Sequence, residues 1–347
     1  MAEVVWLDPP VDLGEGGDGS WADIDITSHV GADAGNVAVA IIRVDFPNST
    51  ALDGIPRANG STDTLLPDPG MGRPGQGKQT EYYVPIDADD IFETHTDSVD
   101  TDENFHLVGY FLDGDADGPT NRLDKSLSVA NWTDIDISSD TGTDTAIAAA
   151  GFMLNTDGKG NDESGGVRVN GSTDTWPYGD LDNVATSDGV YHGFCIGCDG
   201  SEIFEHRRES NDLDLYVTAY IIDANYTAKT NGVDYSTGTT GSYQTGDITS
   251  DTSGTTIGAV FGVINGTSDD DQFAIRNPDN SSWEVYGRIF EGISCFSISV
   301  DSGQQFEQKI EVTSLDCYLL GYFEADGGSG IPPAVVWYHH NYHNLRH

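Results

Sequence analysis

Cations are the scarcest side chains in this sequence: 15 Lys and Arg stand against 58 Asp and Glu, a net charge of −43 over 347 residues. Without a basic patch there is no release of phosphate counterions, which excludes nucleic acid as the principal partner. Cysteine is rare too, with Cys195, Cys198, Cys295 and Cys317 the only four. Cys195 and Cys198 fall in a strand-like run where residues three apart point to opposite faces, and no second Cys-x-x-Cys completes a zinc knuckle. Cys295 and Cys317 read as buried free thiols, with a bridge between them as the alternative. No apolar run reaches the roughly 18 residues that a membrane helix needs, so no membrane insertion is expected. The first ten residues lack the charged and apolar regions of a signal peptide, so the product is expected to be made, and to stay, in the cytoplasm unless it leaves in a particle.

Catalytic signatures are also missing. There is no Gly-x-Ser-x-Gly elbow, no His-Glu-x-x-His and no cysteine with a plausible histidine, and no pair of carboxylates stands out among so many. Gly72-Arg73-Pro74-Gly75-Gln76-Gly77-Lys78-Gln79 has the outline of a phosphate loop. Gln79 replaces the hydroxyl that would hold magnesium, and Tyr82-Tyr83-Val84 reads as a strand where a helix is required. The expectation is therefore a protein that is not an enzyme.

What is present is a repeat. Trp21-Ala22-Asp23-Ile24-Asp25-Ile26 recurs as Trp132-Thr133-Asp134-Ile135-Asp136-Ile137, and 36 residues beyond each tryptophan stands an arginine, in Arg57-Ala58-Asn59-Gly60-Ser61-Thr62-Asp63 and Arg168-Val169-Asn170-Gly171-Ser172-Thr173-Asp174. Asp87 and Asp199 each precede a Phe-Glu pair by five residues, and each unit closes on an apolar run such as Leu107-Val108-Gly109-Tyr110-Phe111. A worn third copy carries Tyr243, Asp247-Ile248-Thr249, Arg276, Asp301 before Phe306-Glu307, and Leu319-Leu320-Gly321-Tyr322-Phe323. A period of about 105 residues suits a complete small domain and is too long for a solenoid.

Short β-branched apolar runs, cut by Gly, Asp, Asn and Pro clusters, favour strands, and no segment has convincing helical periodicity. The fold class is all-β: three tandem antiparallel β-sandwich, jelly-roll-like modules over 21–118, 119–233 and 234–326, with an N-terminal arm (1–20) and a C-terminal docking tail (327–347). With 37% hydrophobic residues such a chain buries cores despite its charge. The acidity suits molar salt, where the Debye length falls to about 3 Å, and points to a halophilic host.

Several residues are candidates for chemistry. Asp113, Asp115 and Asp117, followed by Gly118, Asn121 and Asp124, have the alternating carboxylates and glycine of a calcium loop, against which stands a solvated acidic linker. Asn155, Asp157 and Asp162 form a weaker cluster of the same kind. No cofactor is certain, and Ca2+ or another cation is the candidate ligand. Arg57, Arg168 and Arg276 are expected as structural forks holding a repeated acid, Asp63, Asp174 or an Asp of the hexad, with recognition of glycan carboxylates as the other reading. His339, His340, His343 and His347 crowd the tail, either docking it into a neighbour or taking a transition metal. Seven Asn-x-Ser/Thr sequons begin at Asn48, Asn59, Asn131, Asn170, Asn225, Asn265 and Asn280.

The Trp-x-Asp-Ile-Asp-Ile opening, the Arg-x-Asn-Gly-Ser-Thr-Asp middle and the Leu-Val-Gly-Tyr-Phe close resemble β-sandwich modules of virion proteins from tailed phages and tailed archaeal viruses. The resemblance spans most of residues 20–326, with the third copy departing at Tyr243 and at Arg276-Asn277-Pro278-Asp279. With the halophilic charge it implies a structural protein of a haloarchaeal tailed virus, a capsid turret or decoration protein. The alternative it leaves is a tail-fibre or receptor- or carbohydrate-binding protein that touches host surface glycans. Either implies other virion proteins as partners, a homo-oligomer, and location in the virion.

Overall fold

A computed structural model describes residues 4–16, 19–46, 55–64, 78–96, 104–128, 131–155, 163–177, 179–181, 190–222, 225–266, 271–280, 285–289 and 292–325. The first module holds β1 (Val4–Gly14), β2 (Ala22–Asp25), β3 (Val37–Phe46), β4 (Ile55–Ala58), β5 (Lys78–Pro85), β6 (Ile91–His95) and β7 (Asn104–Leu112). The second holds β8 (Ala116–Asp117), β9 (Leu123–Asp124), β10 (Thr133–Asp136), β11 (Ala148–Asn155), β12 (Glu163–Val169), β13 (Gly179–Leu181), β14 (Val190–Gly197), β15 (Ile203–Arg208) and β16 (Leu213–Ile221). The third holds β17 (Tyr226–Asp234), β18 (Gln244–Asp247), β19 (Thr256–Asn265), β20 (Asp271–Arg276), β21 (Val285–Ile289), β22 (Gly292–Ser299), β23 (Gln305–Ile310) and β24 (Leu315–Glu324).

Each module is a sandwich of two antiparallel sheets. In the third they run β17-β24-β19-β22 and β18-β23-β20-β21, so successive strands alternate between sheets, apart from the β20–β21 hairpin, in the double Greek key of a jelly roll. The second follows the same order, with its opening strand split into β8 and β9 beside β16. Among the described residues the first shows β1-β7-β3-β5 over β2-β6-β4.

The two sheets of a sandwich are written differently in sequence. β6, β15 and β23 alternate between partly exposed and buried positions, as strands with one wet face must. β7, β11 and β19 are buried along nearly their whole length. In β3, Ala40 and Ile42 enter their own sandwich core while Val39 and Ile41 enter a second core shared with Ala148, Ala150, Val260 and Phe323 of the other modules. The unbroken apolar runs thus mark sheets with no wet face, and the three sandwiches close around a common centre.

Three boundaries need correction. Residues 1–20 do not form an arm, because Val4, Val5 and Trp6 pair in register with Phe111, Tyr110 and Gly109 and complete the first large sheet. The Asp8-Pro9-Pro10 stretch is an irregularity of β1 between Trp6 and Val11. The second and third modules open at Ala116 and Tyr226, earlier than 119 and 234, since β8 and β17 pair with their own last strands, β16 and β24. Residues 327–347, with His339, His340, His343 and His347, lie outside the described residues.

Candidate functional site: the seams between sandwiches

The repeated arginines organise the small sheets. Arg57, Arg168 and Arg276 stand directly across from Glu93, Glu205 and Glu307. Each Nε donates to the facing Oε2, at 2.8, 2.7 and 2.8 Å. The guanidinium lies over Trp21 at 3.6 Å, Trp132 at 4.2 Å and Tyr243 at 3.6 Å. The Phe-Glu pair of the repeat thus supplies the arginine's carboxylate, which corrects the expectation that Asp63, Asp174 or a hexad Asp would do so. Asp63 and Asp174 contribute backbone carbonyls to Arg57 and Arg168.

The Asp63 and Asp174 carboxylates are engaged across the seams, where the opening segment of each following module lands on the loop after the arginine. Asp63 accepts the Arg122 backbone N–H at 2.9 Å, and Asn121 Oδ1 accepts from the Thr62 N–H at 2.8 Å and the Ser61 hydroxyl at 3.0 Å. Asp174 accepts the Gly232 N–H at 2.7 Å, and Asn231 Oδ1 accepts from Thr173 N–H and Ser172 hydroxyl, both at 2.9 Å. At the third seam the irregular stretch of β1 reaches the third module, where Asp8 accepts from Asn277 at 2.9 Å, from Ser299 at 3.2 Å and from Asn280. Three landings, two alike and the third of different make, close the modules into a ring.

At the ring's centre β5, β14 and β22 place Tyr83, Cys195 and Ser297 at matching register positions. The Tyr83 hydroxyl bonds that of Ser297. Beside them Arg43 Nη2 donates to Glu81 at 2.8 Å and to the Ser297 carbonyl at 3.0 Å, while the Ser297 N–H donates to Glu81 at 2.9 Å. Both charged side chains are sealed off, with 1% and 2% of their surface exposed. Reasoning from sequence missed this pair, although a lone cation inside Ile41-Ile42-Arg43-Val44 was its signal, since a charge in a doubly buried strand requires a partner.

The calcium-like loop is a second correction. Asp115 is buried in the turn before β8, Asp117 accepts the Gly118 N–H, Asp124 accepts the Ser126 N–H, and the Asn121 oxygen is occupied by Ser61 and Thr62. Among the described residues no three of His, Cys, Asp or Glu, Asp113 included, gather as a metal cluster. Asp113 and Asp115 belong to the bridge and turn before β8, and Asp117 and Asp124 fall in two different short strands, so the spacing that suggested a ligand loop is divided among separate elements. Asn155 is fully buried, while Asp157 and Asp162 lie outside the described residues.

The four thiols are free. Burial pushes Cys198 and Cys295 up to about 12 and Cys195 and Cys317 higher still, so none is a ready thiolate. The sequons at Asn59 and Asn170 spend their amides on Asp87 and Asp199, both at 2.6 Å, in the framework.

No known family model and no curated protein matches the chain. Among solved structures, a chain from the atomic structure of Sulfolobus turreted icosahedral virus is 12% identical over 92% of this chain and 84% of that one, with a TM-score of 0.20. A chain from an archaeal virus described by its triple jelly roll fold and turret assembly is 10% identical over 93% and 89%, with a TM-score of 0.22. The tandem CBM22 domains of Paenibacillus barcinonensis Xyn10C are 10% identical over 57% and 84%, with a TM-score of 0.19. Identities and TM-scores of this size carry no argument about what the chain does.

Proposed function

We propose that the chain is a non-enzymatic structural component of a halophilic virus particle, a turret or decoration protein projecting from the capsid surface and held there by other virion proteins. The observation that supports this best is how the repeated residues are spent. Arg57, Arg168 and Arg276, with their aromatic and glutamate partners, tie strand to strand, and the loops that follow the first two tie module to module. A framework repeated three times and closed on itself behaves as a building block, and function is then carried by what it presents. The excess of carboxylates supports the halophilic part of the reading, because self-repulsion at −43 is relieved in molar salt. Quantitative mass spectrometry of purified particles tests it. Copy numbers set by capsid vertices or faces are expected, a handful per particle moves the chain to a tail fibre, and absence from particles overturns the proposal. Host-surface recognition is a second reading, favoured by one arginine in the seam between the first two sandwiches.

A further inference from the structure

Arg122 is out of keeping with the other arginines among the described residues. Five arginines described at side-chain level, Arg43, Arg57, Arg168, Arg208 and Arg276, form ion pairs with carboxylates. The Arg122 guanidinium is half-buried and makes no ion pair or hydrogen bond among the described residues, although 58 acids were available to supply one. It is held in place by aromatic stacking, 4.7 Å over the Tyr216 ring and 5.9 Å from that of Phe152, and by its own N–H on Asp63. The second seam has Gly232 at the matching position, so the feature is local and belongs to no part of the repeated framework.

The side chain lines a shallow cleft, open to solvent, together with Trp21, Tyr82, Phe152, Pro119, Thr120 and Asp63; the Asp63 and Asp124 carboxylates lie near enough to favour its charge without pairing with it. An oriented, desolvated guanidinium with its donors unused is an acceptor site for a planar oxyanion, which takes two parallel N–H···O bonds from the fork. Tyr82 and Phe152 are buried and Trp21 carries Arg57 on its face, so a ligand ring would rest at the mouth, against Pro119 and with its hydroxyls near the exposed Thr120. We infer that the seam between the first and second sandwiches binds a carboxylate-bearing saccharide, a uronic acid unit, through Arg122. This goes beyond the structural reading and does not depend on where the chain sits on a particle.

Calorimetric titration of the full chain at high salt with glucuronate, glucose, acetate and sulfate tests the inference. Glucuronate binds and glucose binds at least roughly tenfold more weakly, as loss of a charged hydrogen bond requires. Arg122→Gln weakens glucuronate by roughly ten- to a hundredfold. Arg122→Lys, which keeps the charge and loses the fork, falls between, and Lys309→Gln, at an exposed cation of the third module, changes nothing. Thermal unfolding of each variant shows that it is folded. Acetate or sulfate binding as tightly as glucuronate overturns the saccharide, undiminished binding by Arg122→Gln overturns the residue, and no binding of any anion overturns the site.

Discussion

The ring's three seams do the same job by two chemistries. Where the chain itself runs from one sandwich into the next, the seam is fastened by an asparagine oxygen, Asn121 or Asn231, that gathers neutral donors at the surface. Where the third sandwich meets the first, 254 residues separate Arg43 from Ser297 and the contact carries a buried ion pair wired to a backbone carbonyl and N–H. A connected seam has its register fixed by a short connection. The closing seam must choose its partner among similar surfaces; Arg43 and Glu81 stay paired within the first sandwich, but any slip of the third deprives both of the Ser297 carbonyl and N–H that complete their hydrogen bonding where no water can replace them.

The sharpest way to break this contrast is to remove one half of the pair. Glu81→Ala strands Arg43 and should cost about 3–5 kcal/mol in urea unfolding, whereas Arg43→Met with Glu81→Leu should be near neutral. A single variant that costs no more than the surface ones below refutes the asymmetry. A second contrast is between equivalent positions of the small sheets, where Thr94 and Gln308 face cores in which the second module has His206. Burial holds the His206 pKa down at about 3, with Arg208 adding to it, against 6.5 unfolded, and neither ring nitrogen has a hydrogen-bond partner among the described residues. The unfolded chain takes up the proton first, so this contribution to stability is whole above about pH 6.5 and is lost as pH falls toward 3. By about pH 5 the loss is about 2 kcal/mol, and His206→Leu should flatten the pH dependence of the melting temperature across that window. Asn231→Ala should cost about 1–2 kcal/mol, since it leaves a buried hydroxyl and an N–H to find water. Asp8→Ala should cost below about 1 kcal/mol, because its contacts are exposed and the ion pair beneath holds the same seam.

The repeat and the strand class were legible because they rest on composition and spacing, and β-branched apolar runs do form strands, as at Val37–Phe46 and Thr256–Asn265. The partner of each arginine was not. Asp63 lies near Arg57 in sequence while Glu93 lies opposite it in space, and cross-strand register decides such contacts. Asp113 to Asp124 misled for the opposite reason, since acids close in sequence look like a ligand loop until a turn and two short strands divide them. The closing seam has no motif at all, only Arg43 out of place in an apolar strand. Arg122 was invisible, because being unpaired is a property of what surrounds a residue.

The aromatic contacts at the closing seam bear on the order in which the modules are written. Trp6 of the first strand meets Phe323 of the last with ring centroids 5.8 Å apart, and Phe323 also meets Phe111 and Tyr226. The first and last strands of the described ring are neighbours, as β7 and β8 are across residues 113–115. A circularly permuted gene that starts at the second module and joins the third back to the first is therefore expected to fold to the same ring: the fold is a cycle, and the sequence is one of three ways of cutting it.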